Sequence, residues 1–329
     1  MPIWLAVVLL IVGFVMLVKG ADWFVDGAAG LAEKIRIPQL VIGLTVVAFG
    51  TSAPELAVSL TSNFDQSEGL AIGNVIGSNI TNIFLILGLS AIFTALPADK
   101  NLRKIDLPVL LFVSAVFIVF AYTGGSIARW EGILMVTMLV AYTVFLIVHA
   151  LKHREDANGA EDEEGDERET GFNAWYERMK GKTWFLAVIL AVGLALVIIG
   201  ADVSVEGATA IAKELGVSEN IIGLTVIAIG TSLPELVTSV TAAIKGKTDI
   251  AVGNIVGSNV FNILMVSGLS AAILPISVHA DFYVSAFIAL FAAALLSLLC
   301  YLKGNKVTKR GGIVLLVCFV AYYAYLFIV

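Results

Sequence analysis

The amino-acid sequence predicts an all-α integral membrane protein of ten transmembrane helices, arranged as two inverted five-helix repeats. Of the 329 residues, 59% are hydrophobic and only 14% are charged, whereas soluble domains carry about 25% charged residues. The apolar residues also form runs of roughly twenty, the length at which a helix crosses about 30 Å of hydrocarbon. In addition, the sequence matches itself after a shift of 180 positions.

Short polar segments divide the apolar sequence into ten predicted membrane spans. They cover roughly 3–20, 41–64, 71–96, 106–123 and 130–151, then 183–200, 221–244, 250–275, 282–302 and 311–328. The first run has no basic segment before it and no small-residue cleavage site after it, which favours a transmembrane helix over a cleaved signal. The predicted units are therefore a first repeat over 1–151, a linker over 152–182 and a second repeat over 183–329.

The distribution of positive charge predicts the orientation. If residue 1 lies outside, every Lys and Arg except Arg129 and Lys213 falls on the inward-facing side, including those of the linker 152–182. Cytoplasmic loops carry the excess of Lys and Arg. We therefore expect a multi-pass protein of the plasma (inner) membrane with both termini outside and the linker in the cytoplasm.

Acidic residues outside the spans have simpler interpretations. The segment 155–169 contains nine of them, which is typical of a solvated linker, with weak calcium sensing as the alternative. Asp22 and Asp202 recur at the ends of spans 1 and 6. They are interpreted as interfacial, with a vestibule that draws in cations as the alternative.

The repeat is clearest in two segments, which lie within 42–91 and 222–271. IGLTVVAFGTSAPELAVSLT (42–61) aligns with IGLTVIAIGTSLPELVTSVT (222–241), and AIGNVIGSNITNIFLILGLSA (71–91) aligns with AVGNIVGSNVFNILMVSGLSA (251–271). Because each predicted unit has an odd number of spans, the second unit enters the membrane from the opposite side. Inverted repeats around a midplane site are typical of alternating-access transporters.

Glu55 and Glu235 lie about halfway along spans 2 and 7. A carboxylate at that depth costs at least about 3 kcal/mol on insertion scales, so it needs a partner or a water-filled path. No Lys or Arg lies in the core of any predicted span. A bound cation is therefore the expected counter-charge.

Oxygen-bearing neighbours accompany each glutamate. Thr51 shares a helix face with Glu55, and Ser52 flanks that face. Pro54 has no N–H, so it frees a backbone carbonyl and bends the helix, and the carbonyl of Ala48 lies within about a turn. Such an all-oxygen set suits hard cations such as Ca²⁺ and Na⁺. The second repeat supplies the equivalent residues: Ala228, Thr231, Ser232, Pro234 and Glu235.

Spans 3 and 8 carry a second polar layer. Ser78 and Asn82 are four residues apart and face one way, and the same pair recurs as Ser258 and Asn262. Their hydroxyl and amide oxygens can complete a coordination sphere without adding charge. The adjacent asparagines point elsewhere on their helices and are expected to bond between helices: Asn79 and Asn259.

The paired motifs GTSxPE and GNxxGSNxxN, each present twice at matching positions, resemble the two α-repeats of the sodium/calcium exchanger family, within the cation/Ca²⁺ antiporters. The resemblance covers nearly the whole chain. It implies ten helices, a core formed by the four motif-bearing helices, and movement of helices 1 and 6 across that core. It also implies that Glu55 and Glu235 are shared by Ca²⁺ and Na⁺, and that further oxygens complete the sites: Thr51, Ser52, Ser78, Thr231, Ser232, Ser258 and the carbonyls of Ala48 and Ala228.

The chain departs from the family pattern at one pair of positions. Many relatives have aspartate in one half where this chain has Asn82 and Asn262. The predicted site therefore has two carboxylates, which match one Ca²⁺ in charge and leave the number of coupled sodium ions open.

The predicted function is Na⁺/Ca²⁺ antiport, with proton-coupled Ca²⁺ exchange as the alternative because both glutamates could alternate between a proton and Ca²⁺. A passive cation channel is disfavoured by inverted repeats around a single midplane site. An intramembrane enzyme is disfavoured because HExxH, GxSxG and paired-aspartate motifs do not occur. We expect Ca²⁺ and Na⁺ as substrates and the bilayer as surroundings, without a cofactor, nucleic acid or obligate protein partner.

Overall fold

The computed structural model describes residues 1–64, 68–152, 176, 179–216, 228–279, 281–302 and 304–328. Helices account for most of them. In chain order these are α1 (Ile3–Ile35), α2 (Gln39–Thr51), α3 (Ala53–Phe64), α4 (Gly69–Phe93), α5 (Leu102–Gly124), α6 (Arg129–Lys152), α7 (Thr183–Glu214), α8 (Ala228–Thr231), α9 (Leu233–Ile244), α10 (Thr248–Ile273), α11 (Asp281–Tyr301) and α12 (Lys309–Ile328). Four two-residue strands lie in segments between consecutive helices: β1 (Leu96–Pro97), β2 (Ser126–Ile127), β3 (Ile276–Ser277) and β4 (Lys306–Val307).

The helices confirm an all-helical membrane protein. Within the described residues, eight helices are long and apolar enough to span a membrane, and nine if α2 and α3, which meet at a 43° bend, form one span. Apolar side chains remain exposed along the outer helices, for example Val140 on α6 and Val317 on α12, as expected for surfaces that contact lipid. The predicted span 221–244 is described only from residue 228 onward.

Helices α1 and α7 are longer than the predicted spans 3–20 and 183–200, because they continue to Ile35 and Glu214. The prediction placed the helix ends where charged residues begin. In α1 the charge is compensated, since Lys245 pairs with both Asp22 and Asp26. The helix therefore continues through acidic residues that looked like an interface.

Glycines let α1 and α7 pack with their backbones in contact. They recur every seven residues in both helices, and a Cβ added at Gly193 would lie 2.5 Å from the backbone nitrogen of Phe24. A Cβ added at Gly20 would lie 2.8 Å from the backbone nitrogen of Val197. Small residues at such spacing are a common basis of close helix packing in membranes. The contacting set is Gly13, Gly20, Gly27, Gly193, Gly200 and Gly207.

The two halves contact each other reciprocally. Strand β1 pairs with β4 through Leu96 and Val307, and β3 pairs with β2 through Ile276 and Ile127. A shift of 180 positions converts one pairing into the other. Helix packing follows the same rule, with Gly88 of α4 against α12 and its equivalent, Gly268 of α10, against α6.

Candidate cation site between the motif-bearing helices

Both glutamates follow a break in their helices. The break between α2 and α3 falls at Ser52 (φ −84°, ψ 5°), and the break between α8 and α9 falls at Ser232 (φ −88°, ψ 3°). A proline follows each break by two residues and cannot donate a helical hydrogen bond. Glu55 and Glu235 therefore lie in the first turn of a new helix, where the partial positive charge of the helix N-terminus favours an anion. Both side chains are 0% exposed.

Residues from both halves meet at Glu235. The hydroxyl of Ser52 donates to Glu235 Oε1 at 3.2 Å, and the hydroxyl of Ser258 donates to the same atom at 3.4 Å. Thr51 Oγ1 lies 3.4 Å from Ser258 Oγ. The structure thus brings two predicted ligands of the first repeat, Thr51 and Ser52, together with two of the second, Glu235 and Ser258.

Several buried oxygens near these residues lack a hydrogen-bond donor. Within the described part of the chain, neither carboxylate oxygen of Glu55 has a hydrogen-bond partner, and the same holds for Glu235 Oε2 and Ser232 Oγ. Buried polar atoms are normally hydrogen-bonded, and leaving an acceptor unpaired is costly. A cation surrounded by these oxygens would supply the missing interactions.

Asn82 and Asn262 mark a second irregularity. Each is the first residue of a π-helical segment, Asn82–Leu87 in α4 and Asn262–Ser267 in α10. Such widened turns are frequent at functional sites. Both side chains are fully buried, and their Oδ1 atoms have no hydrogen-bond partner among the described residues.

The amide nitrogens of these two asparagines bond across the interface of α4 and α10. Asn82 Nδ2 donates to Asn259 Oδ1 at 3.0 Å. Asn262 Nδ2 donates to Ser78 Oγ at 3.0 Å and to Asn79 Oδ1 at 3.3 Å. Asn79 and Asn259 therefore bond between helices as predicted, and their partners include the two candidate ligands.

Two further asparagines belong to the polar cluster, although the sequence analysis did not single them out. Thr51 Oγ1 donates to Asn254 Oδ1 at 3.0 Å, and Thr231 Oγ1 donates to Asn74 Oδ1 at 3.4 Å. Each contact joins one repeat to the other. The sequence spacing could have indicated a place in the cluster for Asn74, because residues 74, 78 and 82 are four apart and share one face of a helix.

The predicted backbone ligands are described unequally. The carbonyl of Ala48 accepts the N–H of Ser52 at 3.0 Å, and Thr51 Oγ1, whose single proton is directed to Asn254, lies 3.4 Å from the same carbonyl. Ala228 is the first residue of α8, and its side chain lies outside the described part. The ligand role of both carbonyls stays a prediction.

Other acidic residues lie apart from this cluster. Asp22 accepts from Lys245 Nζ at 2.6 Å, so it is paired and not simply solvated. The acidic segment 155–169 lies outside the described residues. Within the described ranges, no group of three or more His, Cys, Asp or Glu side chains could hold a metal ion. The site therefore combines two carboxylates with neutral oxygens.

Buried carboxylates and neutral oxygens at breaks in membrane helices define the class of membrane cation transporters. Comparisons with known proteins identify the family. A family model described as "Sodium/calcium exchanger protein" matches residues 5–148 and 185–328. The sodium/calcium exchanger MaX1 of Methanosarcina acetivorans is 34% identical over 342 residues, which cover 97% of each chain. The inner membrane protein YrbG of Escherichia coli is 36% identical over 326 residues, covering 98% of this chain and 97% of YrbG.

Among solved structures, the sodium–calcium exchanger NCX_Mj soaked with Na⁺ and Sr²⁺ matches with a TM-score of 0.82 at 30% identity, covering 98% of this chain and 99% of NCX_Mj. The chain therefore belongs to the sodium/calcium exchanger family, which confirms the resemblance carried by the motifs. It is an integral membrane protein whose relatives include sodium/calcium exchangers.

Proposed function

We propose that this protein exchanges Na⁺ for Ca²⁺ across the membrane by alternating access to one site near the midplane. The observation that carries the proposal is the pair of fully buried glutamates, one from each repeat, with carboxylate oxygens that no described donor reaches. Two carboxylates balance one Ca²⁺ in charge, and hydroxyl and amide oxygens add neutral ligands without excess charge. The proposed ligands are Glu55, Glu235, Thr51, Ser52, Thr231, Ser232, Ser78, Ser258, Asn82, Asn262 and the carbonyls of Ala48 and Ala228.

The proposed architecture is ten helices in two inverted repeats, divided as 1–151 and 183–329 with the linker 152–182 in the cytoplasm. The reciprocal pairing of β1 with β4 and of β3 with β2 supports a two-fold relation between the halves. We propose a plasma (inner) membrane location with both ends of this sequence outside, from the positive charge of the inward loops. Labelling single cysteines introduced at 158 and 125 from each side of the membrane tests this orientation.

Transport requires that the site exchange access between the two sides of the membrane. Helix breaks at Ser52 and Ser232 place flexible points beside the glutamates, and the close contact of α1 with α7 allows these helices to move as one body. In inverted-repeat transporters, one unit moves against the other around a fixed site. Occupation by either Ca²⁺ or Na⁺, but not by both sets of ions at once, would couple their movements.

The decisive experiment is ⁴⁵Ca²⁺ uptake into proteoliposomes containing the purified protein. One set is loaded with Na⁺ and diluted into Na⁺-free buffer, and a second has a proton gradient of equal size. We expect uptake only with the outward Na⁺ gradient. Uptake driven only by protons would establish the alternative, H⁺/Ca²⁺ exchange, and uptake without either gradient would indicate a channel.

The stoichiometry follows from the same vesicles when a potassium diffusion potential is imposed. A ratio of two Na⁺ per Ca²⁺ moves no net charge, so uptake would not depend on voltage. With three Na⁺ leaving for each Ca²⁺ that enters, one net positive charge leaves the vesicle per cycle, so uptake would rise with an inside-positive potential and fall with an inside-negative one. Two carboxylates without a third favour the lower ratio.

A further inference from the structure

Four buried asparagines lie between α4 and α10, two on each helix. None is more than 4% exposed. Asn82 and Asn262 are candidate ligands, whereas Asn79 and Asn259 have been assigned no part in ion binding. An asparagine can present either its oxygen or its nitrogen in one direction, and the choice follows from its hydrogen-bond partners.

The orientation of Asn82 is determined through Asn259. The Nδ2 atom of Asn259 lies 3.3 Å from the backbone carbonyl of Asn79, and a carbonyl can only accept. Asn259 must therefore direct its nitrogen toward that carbonyl and its oxygen toward Asn82. The atom of Asn82 that faces this oxygen at 3.0 Å must be a donor, Nδ2. The oxygen of Asn82 is consequently on the other side of its amide group.

The orientation of Asn262 is determined through Ser78. The single hydroxyl proton of Ser78 is directed to backbone carbonyls, that of Asn74 at 2.7 Å and that of Val75 at 3.2 Å. Ser78 Oγ can therefore only accept from Asn262, whose facing atom must be Nδ2 at 3.0 Å. Asn79 Oδ1 accepts from the same nitrogen at 3.3 Å.

We propose that Asn79 and Asn259 are positioning residues for the transported divalent cation. Each accepts a hydrogen bond from the amide nitrogen of the asparagine on the opposite helix and so keeps that asparagine's oxygen available as a neutral ligand. The buried Oδ1 atoms of Asn82 and Asn262, which have no hydrogen-bond partner among the described residues, are the atoms so positioned. This inference rests on the proposed role of the site in Ca²⁺ binding.

The two halves are not equally dependent on these residues. Asn262 Nδ2 has two acceptors, Ser78 Oγ and Asn79 Oδ1, whereas for Asn82 Nδ2 the described contact is Asn259 Oδ1 alone. Removing Asn259 should therefore release Asn82, while removing the side chain of Asn79 leaves Asn262 held by Ser78. A larger effect is expected for Asn259→Leu than for Asn79→Leu.

The test is equilibrium ⁴⁵Ca²⁺ binding to the purified full-length protein in detergent. Loss of a residue that orients a metal ligand lowers affinity by about 10- to 100-fold, so we expect the Kd to rise about tenfold for Asn259→Leu and less for Asn79→Leu. Asn63→Leu is the matched control, because Asn63 is an equally buried asparagine that donates to the carbonyls of Ser270 and Leu274 at the end of α10. It should lower the thermal unfolding temperature without changing the Kd.

A double mutant separates positioning from a purely structural role. If Asn259 acts through Asn82, then Asn259→Leu adds no further loss of affinity in an Asn82→Leu background. Unchanged Kd values in the single variants, or fully additive losses in the double mutant, would overturn the proposal. Should Asn259→Leu fail to fold, Asn259→Ser removes the same amide acceptor with a smaller change and should raise the Kd in the same direction.

The binding measurement also separates this inference from the proposed function. A wild-type protein that binds ⁴⁵Ca²⁺ but shows no Na⁺-driven uptake would refute Na⁺/Ca²⁺ exchange while leaving the positioning role to be decided by the variants. A wild-type protein that drives exchange, with variants that bind as tightly as it does, would refute the positioning role alone.

Discussion

Glu55 and Glu235 occupy equivalent positions in the two repeats but have different neighbours. Glu235 Oε1 accepts hydrogen bonds from Ser52 and Ser258. For Glu55, no described residue donates to either carboxylate oxygen. Ser52 and Ser232 differ in the same sense, because Ser52 is engaged with Glu235 and Ser232 Oγ has no partner among the described residues.

The outer parts of the repeats differ as well. On α1, Asp26 pairs with Lys180 at 2.9 Å and with Lys245. At the equivalent positions the second repeat has Asp202 and Glu206, and the residue equivalent to Lys245 is Asp65, which lies outside the described part. Asp22 and Asp26 of the first repeat thus have lysine partners, whereas the residue equivalent to Lys245 is acidic in the sequence.

These differences show that a repeated sequence does not produce repeated surroundings. In a two-fold transporter, a conformation that is open to one side must treat its halves differently, because exact symmetry would give both sides of the membrane the same access. Hydroxyl donors differ between the halves at the two glutamates. Charged pairs differ between the halves at the helix ends.

The largest expected effect comes from removing either carboxylate. Glu55→Gln and Glu235→Gln should each reduce ⁴⁵Ca²⁺ exchange at least about 100-fold, because unit charges about 4 Å apart interact by roughly 4 kcal/mol at an effective dielectric constant of 20. Despite their different neighbours, the two variants should fail alike. Glu131→Gln is the control, since Glu131 is also buried but accepts the N–H of Ala128 at the start of α6. A glutamine variant with normal exchange would exclude that glutamate from the site.

A second prediction concerns a contact that both repeats share. Gly13→Ala and Gly193→Ala should each destabilise the protein by about 1–3 kcal/mol, the usual cost of overpacking, because the new Cβ would lie within 3 Å of backbone atoms of the partner helix. Thermal unfolding in detergent measures the loss. Gly124→Ala should be nearly neutral, since no described atom lies within 4 Å of its Cβ. A strong effect from only one of the two variants would show that the contact is not shared equally.

The hydroxyl asymmetry predicts an effect that depends on the side of the membrane. Ser52→Ala removes a donor to Glu235, and a hydrogen bond to a charged group contributes about 1.5–3 kcal/mol. We expect an increase of about tenfold in the Ca²⁺ KM on one side of the membrane, and the same on the opposite side for Ser232→Ala, if the halves exchange roles during the proposed transport cycle. Right-side-out and inside-out vesicles distinguish the two.

The control for the hydroxyl variants is Ser114→Ala. Ser114 is buried on α5 and donates to the carbonyl of Leu110 in its own helix, so neither KM should change. Equal changes on both sides for Ser52→Ala and Ser232→Ala would contradict the exchange of roles.

The smallest expected effect is at the helix ends. Lys245→Met removes the pair with Asp22 and Asp26, but these side chains are partly exposed, and such pairs contribute about 0–1 kcal/mol. Amide hydrogen exchange should increase modestly near Asp22, and high salt should reduce the difference between variant and wild type. Lys247→Met should do less, because Lys247 and Glu33 are more exposed and 3.5 Å apart. No salt dependence would show that the contact is not electrostatic.

Much of the site could be predicted because its residues occur in strong local patterns. A glutamate within an apolar run, followed by its exact counterpart 180 positions later, identifies a buried charge without knowledge of packing. The helix break at Ser52 follows equally from Pro54, since the missing N–H is a local property. The contacts made by Asn74 and Asn254 were missed because asparagines in membrane helices have many possible partners.

The membrane class, most span positions, the internal repeat and the set of candidate ligands could be predicted from the amino-acid sequence. These properties depend on hydropathy, local backbone chemistry and motif identity, all of which are read along the chain. The folded chain was needed to show that Ser52 donates to Glu235, that Asn259 accepts from Asn82, and that α1 continues past Asp22 to Ile35. Those features depend on which side chains meet across helices, and residues about 180 positions apart are brought together by packing alone.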